Sequence, residues 1–469
     1  MIRLGPLVLV LLTALLVGVG PCNDPTFEIL SPPDGALTLS SSVPLEIRVP
    51  TWINAPDITV SIDGGVVPVA LTRMGLFVTG TLTGAFAGAH EVEVKFMDDG
   101  SMQRRTASFE GIALNSPDDC EVLNDAECML PFPSSRYLRE DETTATGLRV
   151  DFPSQAMPHL KVGSLTGFIA GSRSRLDPAP YNHNDGFSPT VQILMHFPGG
   201  VDLVASDVAR INPQTGNFDL RSLDWDSPTV LVDAQTGDHI AHFVENDDRG
   251  SGDRITTILR PGKSLLPGRR YLVGVRNLVH AGGAPVLAEP VFAALRDGRP
   301  TTIAAVEDRR AAQQEVLWGL EDHGVPPEDL VLAFEFWTQS DEALTSEMLA
   351  MRDLAFEFVD SVPAAALITP PLVLEFVPAD QCTPGAVWRA MLGSYLVPNF
   401  LTTQPNSAAL PPADPVGDPD TLGYLAHDSA GDVLLTGNYF AQFGFSIPCD
   451  AVLNGPVAPV VFCDCVLGH

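Results

Sequence analysis

Proline and glycine punctuate this chain so often, 41 and 40 times in 469 residues, that few uninterrupted stretches are long enough for a helix. Proline removes a backbone donor and fixes φ, while glycine supplies the positive φ that tight turns need. Many short strands joined by turns are therefore expected, and the length calls for several domains. Asp63-Gly64-Gly65 in VSIDGGVVPVAL and Asp98-Asp99-Gly100 in FMDDGSMQRRTASFEG have the chemistry of hairpin turns. VPLEIRV and HEVEVKF alternate apolar and polar residues, the period of a strand with one wet face. Residues 26–115 thus read as an Ig-like β-sandwich.

A second β region is expected over 118–300, with VQILMHF, ITTILRP, RRYLVGVRNLV and APVLAEPVFAAL as its clearest strands and VDAQTGDH and LVHAGGAP as turns. Helices enter in a short insert, residues 301–360. TIAAVEDRRAAQQEVLWGLEDHG is expected to be capped by Thr301 or Thr302 and closed by Gly324. The apolar run LVLAFEFWTQS reads as a buried strand, after which Ser340 caps DEALTSEMLAMRDLAFEFV. In that helix Leu344, Met348, Met351, Ala355 and Phe358 share one face, and the methionines are expected to fill gaps in a core. Residues 361–469 return to strands, interrupted by the exposed loop TTQPNSAALPPADPVGDPD.

Residues 1–22 carry the pattern of an export signal: Arg3, then the apolar LGPLVLVLLTALLVGVG, which is short for a membrane span. LVGVGPC resembles a lipoprotein signal in which Cys22 becomes lipid-modified and attaches the chain to a membrane. Pro21 replaces the small residue usual before that cysteine, and it also hinders ordinary cleavage after Gly20. Lipid anchoring, simple secretion and a retained anchor stay open, which places the protein in the outer membrane, the periplasm or outside the cell. In an oxidising compartment the other cysteines are disulfide candidates. Cys120 and Cys128 enclose a short polar loop, and Cys382 with Cys449 is a long-range pair. Cys463 and Cys465 point to opposite faces of one strand. No CxxC or His-x-x-x-His spacing points to a metal, and no cofactor is expected. The net charge of −31 excludes nucleic acid as a partner, because its phosphates would be repelled.

Three segments together are distinctive: CMLPFPSSRYLREDETTATGLRVDFP, NHNDGFSPT and ILRPGKSLLPGRRYLVGVRNLVHAGGAPV. They resemble the N-terminal region of secreted bacterial virulence-factor lipases, in which a PFP segment, a DGFS segment and an Ig-like sandwich precede an α/β-hydrolase domain. The run L-x-P-G-x-x-Y-x-V ending at Val273 is also similar to Ig-like modules of surface-layer proteins. The resemblance implies that VVFCDCVLGH stands where the first strand of the hydrolase domain enters its oxyanion turn. Phe462, Val466, Leu467 and Gly468 match that turn, whereas Cys463, Asp464 and Cys465 replace its Gly-His-Gly. A carboxylate there would oppose a developing oxyanion. No G-x-S-x-G occurs; GSLTG and GSRSR have the wrong spacing. H-E-x-x-H and G-x-x-x-x-G-K are absent as well.

Two loops invite a site reading. YNHNDGFSP gathers His183, Asp185 and Ser188, yet a loop this short is better read as a turn in which Asp185 binds neighbouring backbone N–H groups. HIAHFVENDDRGSGD offers His239, His242, Glu245, Asp247, Asp248 and Asp253, oxygen-rich enough for Ca²⁺ but without the alternation of an EF-hand, so a hairpin tip is expected. Asp341 and Glu342 favour the dipole of their helix. No catalytic residue is assigned. The expectation is an exported, mainly β, multi-domain envelope protein that acts as a binding or scaffold module and ends at the truncated start of a hydrolase-like domain. The alternatives are a fragment of a secreted lipase or esterase whose catalytic domain lies beyond residue 469, and a structural surface-layer protein. A cell-surface or lipid-ester ligand fits the first reading; the oligomeric state is left open.

Overall fold

The computed structural model describes residues 27–114, 118–124, 127–158, 175–212, 214–217, 219–247, 249–250, 254–402, 424–429 and 431–455. The export segment with Cys22, GSLTG, Asp248, Asp253, most of the Pro/Asp-rich loop and the stretch from Cys463 to Cys465 lie outside the described residues. The protein is mainly β, with several separate sheets. Two compact units contain the described residues: one within Met1–Arg136, Thr190–Leu265 and Arg269–Trp337, the other within Tyr137–Pro189, Leu266–Gly268 and Thr338–His469.

The first unit opens with strands β1 (Glu28–Ser31), β2 (Ala36–Leu39), β3 (Ser42–Arg48), β4 (Thr59–Ile62), β5 (Gly65–Val66), β6 (Thr72–Met74), β7 (Phe77–Thr83), β8 (Gly88–Asp98) and β9 (Ser101–Ile112). They form one sheet in the order β5-β4-β8-β9-β2-β3-β7-β6, with β1 on β3. Alternation sets which side chains go inward: Val43, Leu45 and Ile47 of β3 meet Val92, Val94 and Phe96 of β8 in a single core, so the sheet curls around its own apolar face. Both expected hairpin turns use positive φ, at Asp63 (49°) and Gly64 (82°) and at Asp99 (47°) and Gly100 (76°). At Gly111 in β9 the Phe86 backbone passes so close that a Cβ would stand 1.7 Å from the Phe86 carbonyl oxygen. Residues 299–302 complete β2. Leu37 N–H donates to Pro300 O and Thr302 N–H donates to Leu37 O, each at 2.9 Å. Arg299 reaches Gly35 O at 2.5 Å and the Glu110 carboxylate at 2.6 Å.

Later in this unit, β12 (Ile193–His196), β15 (Thr256–Pro261) and β14 (His242–Asn246) form one three-stranded sheet. β13 (Thr229–Asp233), β16 (Arg270–Arg276) and β17 (Leu330–Trp337) form another. All of β13 and nearly all of β16 is buried, and Phe334 and Phe336 of β17 are fully buried. APVLAEPVFAAL, expected as a strand, instead runs into helix α1 (Pro290–Arg296). Pro290 is preset for the first helical turn, and Val291, Phe292, Ala294 and Leu295 form the buried stripe of a helix rather than a strand face. Helix α2 (Ala304–Asp322) begins at Ile303, not at a threonine cap. Thr301 still serves it: its N–H and hydroxyl donate to Glu307 Oε1 at 2.8 and 2.7 Å. Gly319 lets α2 sit on Leu272, and Gly274 leaves space for Leu320.

The second unit contains the hairpin β10 (Leu138–Glu140) and β11 (Leu148–Val150), helix α3 (Asp341–Ser361), helix α4 (Ala364–Leu367), the sheet β18 (Leu372–Glu375), β19 (Val387–Asn399) and β20 (Gly437–Pro448), and helix α5 (Cys449–Asn454). Ser340 caps α3, its hydroxyl accepting the Ala343 N–H at 3.0 Å. Core filling by the α3 methionines does not hold: no α3 residue is buried, and Met348 is 65% exposed. Along the apolar face Leu344 and Met348 are exposed, while Met351, Ala355 and Phe358 are half-buried.

Two outcomes test this packing. Gly111→Ala forces a Cβ into the Phe86 carbonyl and is expected to cost at least about 3 kcal/mol in urea unfolding, the upper end of overpacking costs. His242 is fully buried in β14, with Nδ1 donating to Ile240 O at 2.8 Å and Nε2 accepting from the Thr229 hydroxyl at 2.9 Å. Burial lowers its pKa to about 4 from an ordinary 6.5. The unfolded chain therefore takes up a proton that the folded chain refuses, and stability falls as pH drops through this window by about 3 kcal/mol. His242→Asn is expected to be weaker at neutral pH but to lose less between the two values in pH-dependent unfolding.

Candidate functional site

The YNHNDGFSP loop does not gather a triad. Asp185 is buried, and its carboxylate accepts the N–H of Ser340, far along the chain, at 3.0 Å, rather than that of a loop neighbour. Gly186 lies so close to Thr338 that a Cβ would stand 2.7 Å from its carbonyl carbon and oxygen. The Gln339 N–H donates to Phe187 O at 2.8 Å, and its side-chain amide donates to Asn184 Oδ1 at 2.6 Å. From the other side, Leu266 O accepts the Thr338 hydroxyl at 2.6 Å and Gly268 N–H donates to Gln339 O at 2.8 Å. NHNDGFSPT and the ILRPGKSLLPG run, two of the segments that suggested a lipase-like front region, thus grip one three-residue stretch that starts α3. Their small and acidic residues serve close backbone approach and helix capping.

His183 turns the other way. Its Nε2 lies 3.4 Å from Glu347 Oε1 on α3, and His427 Nε2 lies 2.9 Å from the same oxygen. The two imidazole rings are 5.6 Å apart. Burial holds the His183 pKa below its ordinary value against the upward pull of Glu347, with His427 and Arg149 pushing it down further. Two imidazoles thus share one carboxylate, His427 by a hydrogen bond and His183 at ion-pair distance. Among the described residues no group of His, Cys, Asp or Glu is arranged to hold a metal ion.

The second candidate loop is the β14–β15 hairpin. His239 bridges to Val232, His242 belongs to the core, Glu245 pairs with Arg260 at 2.5 Å and Asp247 pairs with Arg249 at 3.0 Å. Cys120 is bonded to Cys128 and Cys382 to Cys449. No helix of the described residues is long and apolar enough to cross a membrane.

The feature that sequence reasoning missed is a wet apolar surface in the second unit. Pairing of Leu372 with Leu392 and of Leu396 with Phe440 places Leu372, Leu374, Leu392, Leu396 and Phe440 on one face of the β18–β19–β20 sheet. Val373, Met391, Tyr395, Phe443 and Phe445 take the opposite face. Leu372 is 59% exposed, and Leu392, Phe440 and Phe445 are exposed as well. Between the end of α3, α4 and the sheet, Val359, Ile368, Tyr395 and Phe443 line an apolar groove of about 490 Å³. The signal was present in the run VWRAMLGSYLVPN, whose apolar residues do not alternate cleanly with polar ones. Such strands are ordinarily covered on both faces.

No family model and no curated protein matches this chain. Among solved structures, an endo-β-1,4-mannanase from Thermotoga petrophila is 14% identical over 20% of this chain and 20% of its own, with a TM-score of 0.17. The titin M3 domain is 17% identical over 19% of this chain and 95% of its own, TM-score 0.15, and the titin A168–169 pair is 10% identical over 54% of this chain and 90% of its own, TM-score 0.17. At TM-scores this low the likenesses carry no argument about fold or function.

The grip on Thr338–Ser340 has a measurable consequence. Asp185→Ala strands the Ser340 N–H without its acceptor and Gly186→Ala crowds Thr338, and each is expected to cost about 2 kcal/mol. Hydrogen exchange is the check: the first amides of α3 should lose protection before those of the β16–β17 pair.

Proposed function

We propose that this chain is the exported, non-catalytic front portion of a lipase-like envelope protein and works as a binding and scaffold module, its β18–β19–β20 sheet seating an α/β-hydrolase-type domain. The observation that carries this reading is the sheet's apolarity on both faces. A solvated antiparallel sheet keeps one polar face, whereas a sheet inside an α/β domain is covered by helices on both. Contiguous exposed apolar surface of this kind marks an interaction site. The resemblance of the CMLPFPSS, NHNDGFSPT and ILRPGKSLLPGRRYLVGV segments to the front region of virulence-factor lipases supplies the kind of domain that would cover it. Two disulfides support an oxidising, exported setting. The strongly acidic composition suits a solvated exterior.

Two assays on the purified 469-residue chain test the reading. No turnover is expected on short-chain p-nitrophenyl esters, and turnover abolished by a serine-directed inhibitor would overturn the non-catalytic assignment. The wet sheet is expected to bind an environment-sensitive apolar dye, with Leu372→Lys and Phe440→Lys together removing most of the signal while the circular dichroism spectrum is kept. Ordered sheet-like assemblies in electron micrographs, lost in the same double variant, would instead make this surface a self-assembly face and favour the surface-layer alternative.

A further inference from the structure

Helix α2 presents Val306, Val316, Leu317 and Leu320 to the interior, and in the middle of that buried stripe stands Gln313, 1% exposed. Its Nε2 donates to Ala333 O of β17 at 2.9 Å, which fixes the amide orientation and leaves Oε1 as a buried acceptor with no partner. The Ser135 hydroxyl, in the segment after PFPS, is also buried without a partner. Both residues line the same cleft, a cavity of about 450 Å³ within the first unit. That volume is in the range of small-molecule sites. A buried acceptor left unmade costs on the order of 1–3 kcal/mol, which offsets what the Nε2 bond to Ala333 O contributes. Ala305 and Ala312 on the same wall are too small to close the cleft.

The charges decide what could enter. Arg309 is held by the fully buried Glu121, whose other oxygen accepts the Ser134 hydroxyl at 2.5 Å. Glu335 is held by Arg270 and Arg136 donates to the Asp118 carbonyl. Asp118 and Asp308 stand exposed at the rim. Among the lining residues the carboxylates of Asp118, Asp308 and Glu335 outnumber the guanidiniums of Arg136 and Arg309, so the opening favours a cation, and the whole chain at −31 favours one further. We infer that this cleft is a small-ligand site that takes a compound bearing a protonated amine or guanidinium. Its N–H groups satisfy Gln313 Oε1 and Ser135 Oγ while its charge faces Asp308 and Asp118. The site lies outside the apolar sheet of the second unit and stands whether or not that sheet seats a hydrolase domain.

Isothermal titration of the full chain with agmatine tests this, with glutarate as the anionic control. Agmatine is expected to bind at one site per chain and glutarate not at all. Gln313→Leu removes the acceptor and is expected to weaken agmatine by about tenfold, the equivalent of one hydrogen bond to a charged group. It also removes the bond to Ala333 O, so thermal stability is expected to fall slightly. Ala312→Phe, on the exposed side of α2, fills the cleft without touching its polar groups and should abolish binding. It decides the matter if Gln313→Leu folds poorly. Agmatine binding that survives Ala312→Phe, glutarate binding in place of agmatine, or no binding of either at millimolar concentration would each overturn the inference.

Discussion

One hydrogen bond and one missing side chain organise the second unit: the Asp185 carboxylate on the Ser340 N–H, and the bare Cα of Gly186 against Thr338. Helix α3 begins there, and its start needs partners for N–H groups that have no intrahelical acceptor. The Ser340 hydroxyl supplies one acceptor and Asp185 supplies another from a loop more than 150 residues earlier. Everything after α3 in this unit, including the apolar sheet, follows in sequence from an element whose first turn is fixed in this way. An acidic and a small residue side by side in a loop look like chemistry waiting to happen. Here they are a buried acceptor and a point of close contact.

The same local rules made some elements legible and hid others. Asp-Gly turns at 63–64 and 99–100 announce their hairpins because few other residues tolerate φ near 50–80°. Ser340 and the apolar β17 strand were equally plain, since a cap before a charged turn and a run of large apolar residues have few other uses. The α1 helix was hidden because a short apolar run has no decisive period, and only the tertiary burial of Val291, Phe292, Ala294 and Leu295 selects the helix. The cap of α2 was hidden because Thr301 acts through the Glu307 side chain, not as the cap residue itself.

The candidate sites were less legible than the fold. Periodicity reports which face of α3 is apolar, but not whether anything covers it, so Leu344 and Met348 looked like core and are wet. Gln313 escaped notice for the opposite reason: one polar residue inside a helical stripe resembles noise until its amide is seen pinned to Ala333 with a bare oxygen behind it. The His183–Glu347–His427 trio draws on three segments separated by up to hundreds of residues in sequence, and no local spacing could announce it.

The pairing of Leu37 with Pro300 and Thr302, reinforced by Arg299 on Gly35 and Glu110, ties the amino-terminal sheet to chain made roughly 190 residues after its last strand. A chain that leaves a ribosome or a translocation channel from its amino end meets that sheet long before it meets its closing segment. Strand β2 must wait with backbone groups unpaired, a high-contact-order step that is slow and open to wrong partners. Residues 299–302 therefore act as the timing element of the amino-terminal half: the backbone groups of Leu37 in β2 find these partners only when they arrive.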